Sequence, residues 1–468
     1  MKKNKGITLI ALIITIIVML ILVAVSVNVL IKSNLIGTAE KAVDKYKTAS
    51  EEEANGDTIE INGKKYDSIE DYIKLSSINI PGGTRVTEPT EYKDGDKTAI
   101  IPAGYTLSGI DSERTIDGGL VIYDIPVVDL ENAGEDFWTK TTTVGTEIYP
   151  TVQCNYNQFV WVPVENPFVT KAELDKIIAD SNESITTEQE AMQTLVDSGI
   201  YPMAVELANE TDYRGILYDF SAETNKVKIT VMNFSTTDDY NDYQRIKYNR
   251  EPGKLTSSSQ PTNYTDDTKE RELNLQAEYN NIVKSVKEQK GFWVARYELS
   301  YNTKGESKRG KPVAIASDSV TYKWYGLYDA CKTIYEAQNK NEVQSNMMYG
   351  SQWDQIMIWM KDVKNTHDSS KYYILDSSYM GNYNFTSPDN QIIPQVSGYK
   401  NEYSVKQVFD LGGNLVEYTT EAEDTWRRVA RGGPNGNMGI IMGSYFKNSY
   451  PPDFTNKYSA RFALYVSL

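Results

Sequence analysis

The chain has 468 residues, 40% of them hydrophobic and 11% aromatic, which excludes a wholly disordered polymer and allows several domains with sizeable cores. Its 48 Lys and Arg stand against 64 Asp and Glu, a net charge of −16, so nucleic acid is excluded as the expected partner: phosphate binding needs a basic face. The single His, His367, excludes any site built from two or three histidines, and the 2 Cys permit at most one disulfide and no four-cysteine zinc site.

The sequence opens Met1-Lys-Lys-Asn-Lys-Gly6, followed by an uncharged apolar run from Ile7 to Ile31 that ends at Lys32. About 20 apolar residues suffice to span a bilayer as a helix, so this run predicts a membrane-spanning helix. The lysines before it predict a cytoplasmic N-terminus, with the remainder outside the cell. A cleaved secretory signal is the competing reading, although its apolar core is usually only about 7–15 residues long. Ala39, Ala42, Val43 and Tyr46 continue a helical stripe, which ends near Glu51-Glu52-Glu53 and Asn55-Gly56. Asn62-Gly63 between Thr58–Ile61 and Lys64–Tyr66 predicts a hairpin, and Ser68 with Asp71 predicts the start of a short helix.

Lys5-Gly6-Ile7-Thr8-Leu9-Ile10 resembles the processing site of type IV prepilins. The resemblance implies cleavage by a prepilin peptidase after Gly6, N-methylation of Ile7, a pilin-like transmembrane and stalk helix, and possible company with other pilins. Filament-forming pilins usually carry Glu at the fifth mature position, where this chain has Ala11. The division expected is therefore a leader at 1–6, a pilin-like helix at 7–53, an adaptor or linker at 54–96 and one large domain at 97–468.

Within the large domain, Gly119–Tyr123 and Gln158–Pro163 read as strands. Thr187 with Glu190 reads as a capping box whose helix stops at Gly199. Leu275, Tyr279, Ile282 and Val286 form a helical stripe that ends at Gly291. Ser351 with Asp354 predicts the cap of a helix whose apolar side carries Trp353, Ile356, Met357 and Met360. Residues 235–268 are polar and irregular, an expected surface insertion. Cys154 and Cys331 are each predicted to be a buried free thiol, with a mutual disulfide as the alternative. His367, in Asn365-Thr-His-Asp, is predicted to be an exposed loop residue. No Gly-X-Ser-X-Gly accompanies it to suggest a Ser-His-Asp triad. Asp238-Asp239-Tyr-Asn-Asp242 lacks the Gly and terminal Glu of an EF-hand loop.

Four segments in order resemble the formylglycine-generating-enzyme family, also called the sulfatase-modifying-factor family, which has a variant of the C-type lectin fold. They are Gly291-Phe-Trp-Val-Ala-Arg296-Tyr-Glu298, Tyr349-Gly-Ser-Gln-Trp353-Asp354, Asp410-Leu-Gly-Gly-Asn414-Leu-Val-Glu417 and Arg431-Gly-Gly433. The resemblance implies an α+β, loop-rich lectin-like domain. It also implies a structural calcium ion held by the side chains of Asp410 and Glu417 and the carbonyls of Gly413 and Leu415, a donor set of the hard-oxygen kind calcium takes. The alternative is an ion-free turn in which the two acids cap or pair with arginines. The copper-binding enzymes of the family need a thiolate pair near the C-terminus and the iron enzymes need three histidines; neither set is present in this chain. The family usually ends Gly-Phe-Arg, where this chain has Ala460-Arg461-Phe462, so the partner of that arginine is left open.

Between Gly433 and Ala460 the chain is rich in Tyr, Asn, Ser and Gly, the residues of adaptable recognition loops. In lectin-fold binding proteins of this family, including the variable proteins of diversity-generating retroelements, the corresponding segment displays the ligand surface. The resemblance implies ligand contacts from Asn435, Asn437, Tyr445, Phe446, Asn448, Tyr450 and Tyr458. The resulting expectation is a cell-surface or pilus-anchored adhesion protein that binds an extracellular protein or glycan. A metal-dependent enzyme with altered ligands and a structural minor pilin are the alternatives.

Overall fold

The computed structural model of the chain describes residues 59–61, 64–66, 80–207, 211–232, 275–300, 305–313, 324–332, 343–376, 380–382, 395–422, 428–432, 448–450 and 458–466. The chain divides into two units, Met1–Asn79 and Ile80–Leu468. In the first, Ile59–Ile61 and Lys64–Tyr66 pair antiparallel around Asn62-Gly63, as that dipeptide predicts. The second unit takes in residues 80–96, which were expected in the linker: Thr90–Asp94 pairs antiparallel with Lys97–Ile101.

The expected fold class needs a correction. The described residues are α+β, but no helix among them is long and apolar enough to cross a membrane. The expected helix at 7–53, with Gly6 and Ile7, lies outside the described residues.

The core of the second unit is a six-stranded antiparallel sheet. Its strands are β1 (Thr106–Leu107), β2 (Val121–Asp124), β3 (Asn157–Pro163), β4 (Gly291–Ala295), β5 (Val343–Met347) and β10 (Phe462–Val466), in the order β5-β10-β4-β3-β2-β1. The run Phe159-Val-Trp-Val162 is buried at every position, so this central strand is covered on both faces and reads as a continuous apolar stretch rather than an alternation. Trp161 and Trp293, cross-strand partners, pack with ring centroids 5.1 Å apart.

Five helices are labelled: α1 (Lys171–Asp180), α2 (Glu188–Asp197), α3 (Leu275–Gln289), α4 (Trp324–Lys332) and α5 (Gly350–Met360). In α2 the Thr187 hydroxyl accepts from the Glu190 amide and the Glu190 carboxylate accepts from the Thr187 amide, the predicted capping box. Gly199, at φ 82°, follows its end. The stripe of Leu275, Tyr279, Ile282 and Val286 on α3 is buried. The start of α5 differs from expectation. Gln352, not Ser351 or Asp354, reaches back to the Tyr349 amide at 3.1 Å, because Asp354 is committed elsewhere.

A second sheet has four strands, β6 (Val416–Ala422), β7 (Arg428–Arg431), β8 (Asn448–Tyr450) and β9 (Tyr458–Ala460), in the order β8-β7-β6-β9. β6 and β9 run parallel while β7 is antiparallel to both of its neighbours.

Candidate functional site

The turn from Asp410 to Glu417 is folded by its own backbone. Asp410 and Asn414 adopt φ of 57° and 59°, left-handed values that short polar side chains tolerate, and Gly413 takes φ 107°. The Gly413 amide donates to the Gly432 carbonyl at 3.0 Å, and the Asn414 amide to the Asn382 carbonyl at 2.7 Å. The second amide brace comes from a side chain: the Leu415 amide donates to Glu298 Oε1 at 3.0 Å, and Asn414 Nδ2 donates to Glu298 Oε2. Glu298 of the Phe-Trp-Val-Ala-Arg-Tyr-Glu motif therefore holds the Asn-X-X-Glu motif.

Glu417 belongs to Arg461. Nε and Nη2 of Arg461 donate to its two oxygens at 3.0 and 2.6 Å, and the remaining guanidinium donors reach the carbonyls of Ala295 at 2.9 Å and Phe409 at 2.7 Å. The shifted arginine thus forms a fully buried bidentate pair. This tests the expected calcium site. A calcium ion needs six to eight oxygens at about 2.3–2.6 Å, and one placed on the Glu417 carboxylate would stand against a guanidinium. Asp410 Oδ2 accepts from the Gly398 amide at 2.8 Å, and the Asn382 amide also favours its charged form. Glu417 is paired with an arginine, as the ion-free alternative has it. Among the described residues no three His, Cys, Asp or Glu side chains converge closely enough to hold a metal ion by themselves.

Three buried carboxyls, Glu298, Asp410 and Glu417, face this single guanidinium. Burial pushes the Glu298 carboxyl well above the usual range, and the neighbouring Asp410 and Glu417 charges push it further. Burial likewise raises Asp410 to about 6, against the pull of the Gly398 amide and of Arg461. Glu417 is raised by burial and lowered by Arg461.

A second clamp lies at the end of β7. Arg431 donates to Glu421 through Nε at 2.6 Å and Nη2 at 2.7 Å, and to Asp354 Oδ1 through Nη1 at 3.1 Å. Asp354 Oδ2 accepts from the Tyr218 amide at 2.8 Å, which is why Asp354 is not available to cap α5. Gly350 is required here, because a Cβ on it would meet the Glu421 carboxylate.

The segment expected to carry ligand contacts hangs between these clamps. It leaves β7 directly after Arg431, touches β7 again through β8, and re-enters as β9 just before Arg461. Asn435, Asn437, Tyr445 and Phe446 lie outside the described residues, and Asn448 and Tyr450 are placed on the backbone of β8. Tyr458 is corrected. It is 3% exposed and its ring lies 4.9 Å from that of Tyr418, so it is a core residue of the sheet and not a surface contact.

Cys154 and Cys331 are free and buried. Burial raises both thiols, Cys331 well above its ordinary value, so both are held as the unreactive thiol form. His367 is exposed, with Nε2 3.8 Å from Glu402.

Sequence reasoning assigned no role to Arg296, Glu298 or Glu113. Arg296 Nη1 donates to Glu113 Oε1 at 2.6 Å and to Gln158 Oε1 at 3.0 Å, and Glu113 also accepts from Tyr123, Ser108 and Gln153. The available signal was the presence of two charges in an otherwise apolar strand run, since buried charges require partners. No protein-family model matches the chain, and no curated protein matches it either.

Proposed function

We propose that the chain is a cell-surface binding protein that presents the residues between Gly432 and Tyr458 to a protein ligand outside the cell. The observation that carries this reading is the mounting of that stretch. It begins two residues after Arg431 and ends four before Arg461, and both guanidiniums are buried against bidentate carboxylates. A rigid scaffold holding a Tyr-, Asn- and Gly-rich excursion is the arrangement recognition loops use. The ordered resemblance to the lectin-like formylglycine-generating-enzyme family supports the same reading. The prepilin-like Lys5-Gly6-Ile7 supports delivery to the exterior; mass spectrometry of the protein from its own cells should find Ile7 at the N-terminus, and an intact Met1 would remove that support.

The test is a four-site variant, Asn435→Ala, Asn437→Ala, Tyr445→Ala and Phe446→Ala, in the full chain. Binding to arrayed extracellular proteins should disappear while the melting temperature stays within about 2 °C of the parent. Binding of arrayed oligosaccharides instead would move the ligand class to glycans. Protein binding that survives all four substitutions would sink the proposal.

A further inference from the structure

Away from both clamps, an open cavity of about 410 Å³ lies between the hairpin of Tyr218–Glu223 and Lys226–Val231 and the loop that carries Tyr372 and Asp376. That volume falls in the roughly 300–1,000 Å³ range of small-molecule sites. Its apolar lining comes from Ala222, Tyr372 and Leu375, with the edge of the buried Phe220. The cavity is braced across its width: the Tyr372 hydroxyl donates to the Asn225 carbonyl, and Lys364 Nζ sits over the Tyr372 ring, 3.3 Å from its centroid. Thr224 and Asn225, at φ 24° and 66°, turn the hairpin tightly enough to offer that carbonyl.

The cations at the rim are unequal. Lys371 is held by Asp376 at 2.7 Å and Asp368 at 3.7 Å. Lys226, exposed at the start of its strand, lines the cavity and is in no ion pair among the described residues. A largely apolar lining with an exposed ammonium at its rim selects one ligand chemistry. We propose that this cavity is a second binding site, for a small organic anion with a planar apolar body. The body lies against Ala222, Tyr372 and Leu375, and the anionic group meets Lys226 at the rim.

The experiment is equilibrium dialysis of the full chain with 2-naphthoate and with its neutral counterpart 2-naphthamide. Naphthoate should bind at one equivalent with Kd on the order of 0.1–1 mM, as a ligand of that size allows. Lys226→Glu should weaken naphthoate by about 5-fold or more and naphthamide by less than about 2-fold, since only the first carries charge. Ala222→Trp should abolish both by filling the space. No saturable naphthoate binding below about 5 mM, equal losses of both probes in K226E, or undiminished binding in A222W would each overturn the proposal. Should A222W melt well below the parent, K226E at an exposed strand end decides alone.

Discussion

The two buried arginine clamps use the same chemistry at the two ends of one segment, and they balance it differently. Arg431 faces two carboxylates, and each is satisfied: Glu421 by two guanidinium bonds, Asp354 by the guanidinium on one oxygen and the Tyr218 amide on the other. Arg461 faces three carboxyls, of which it bonds one. Glu298 is left to neutral donors, and Asp410 to the backbone amides of Gly398 and Asn382. The first is a closed network. The second sets three buried acids against one cation, and burial first, then the neighbouring acids, raises the Glu298 and Asp410 carboxyls. Counting buried ion pairs would rate the clamps as equal, whereas following every oxygen separates them.

The largest way to break this contrast is Arg461→Met. It strands Glu417 among two other acids, so the loss should be about 3–5 kcal/mol, the usual cost of removing one partner of a buried pair. Chemical denaturation reads it, and a loss under about 1 kcal/mol would show that the pair is not the keystone described. At the other clamp, Gly350→Ala drives a methyl into the Glu421 carboxylate. It should cost about 1–3 kcal/mol by overpacking.

The pH dependence should separate the clamps more sharply. Carboxyls whose pKa is raised on folding bind protons more tightly in the folded chain, so their contribution favours folding at the acid end and is lost as pH rises. For Asp410 the window runs from its ordinary value of 3.8 to about 6. Glu298, shifted in the same direction, extends it upward. Glu298→Gln and Asp410→Asn should therefore gain stability relative to the parent as pH rises from about 4 to 7. A parent-minus-variant difference that stays flat across that window would contradict the account. The smallest effect expected is His367→Gln, an exposed position, which should change stability by less than about 0.5 kcal/mol.

Local elements were legible where a local cause sets them. The Thr187–Glu190 box, the Asn62-Gly63 hairpin and the apolar stripe of α3 each depend on residues within a few positions of one another, and each appears as read. The Ser351–Asp354 cap was misread because Asp354 answers to Tyr218 and Arg431, 136 and 77 residues away. The same distance problem hid the role of Arg296, whose partner Glu113 is 183 residues earlier. Tyr458 was expected at the ligand surface from the resemblance, although its place on β9 beside β6, packed against Tyr418, makes it core. Motif order pointed to Glu417 and Asp410 as a pair of ion ligands. Only the folded chain reveals that Arg461 takes both oxygens of the first.

The most direct test of the central claim is the melting curve of the full chain carrying Asn435→Ala, Asn437→Ala, Tyr445→Ala and Phe446→Ala, measured beside Arg431→Met. If the segment is a displayed surface on a clamped sheet, the four-site variant melts within about 2 °C of the parent while R431M falls by many degrees. A four-site variant that falls as far as R431M would place those side chains in the core and contradict the account.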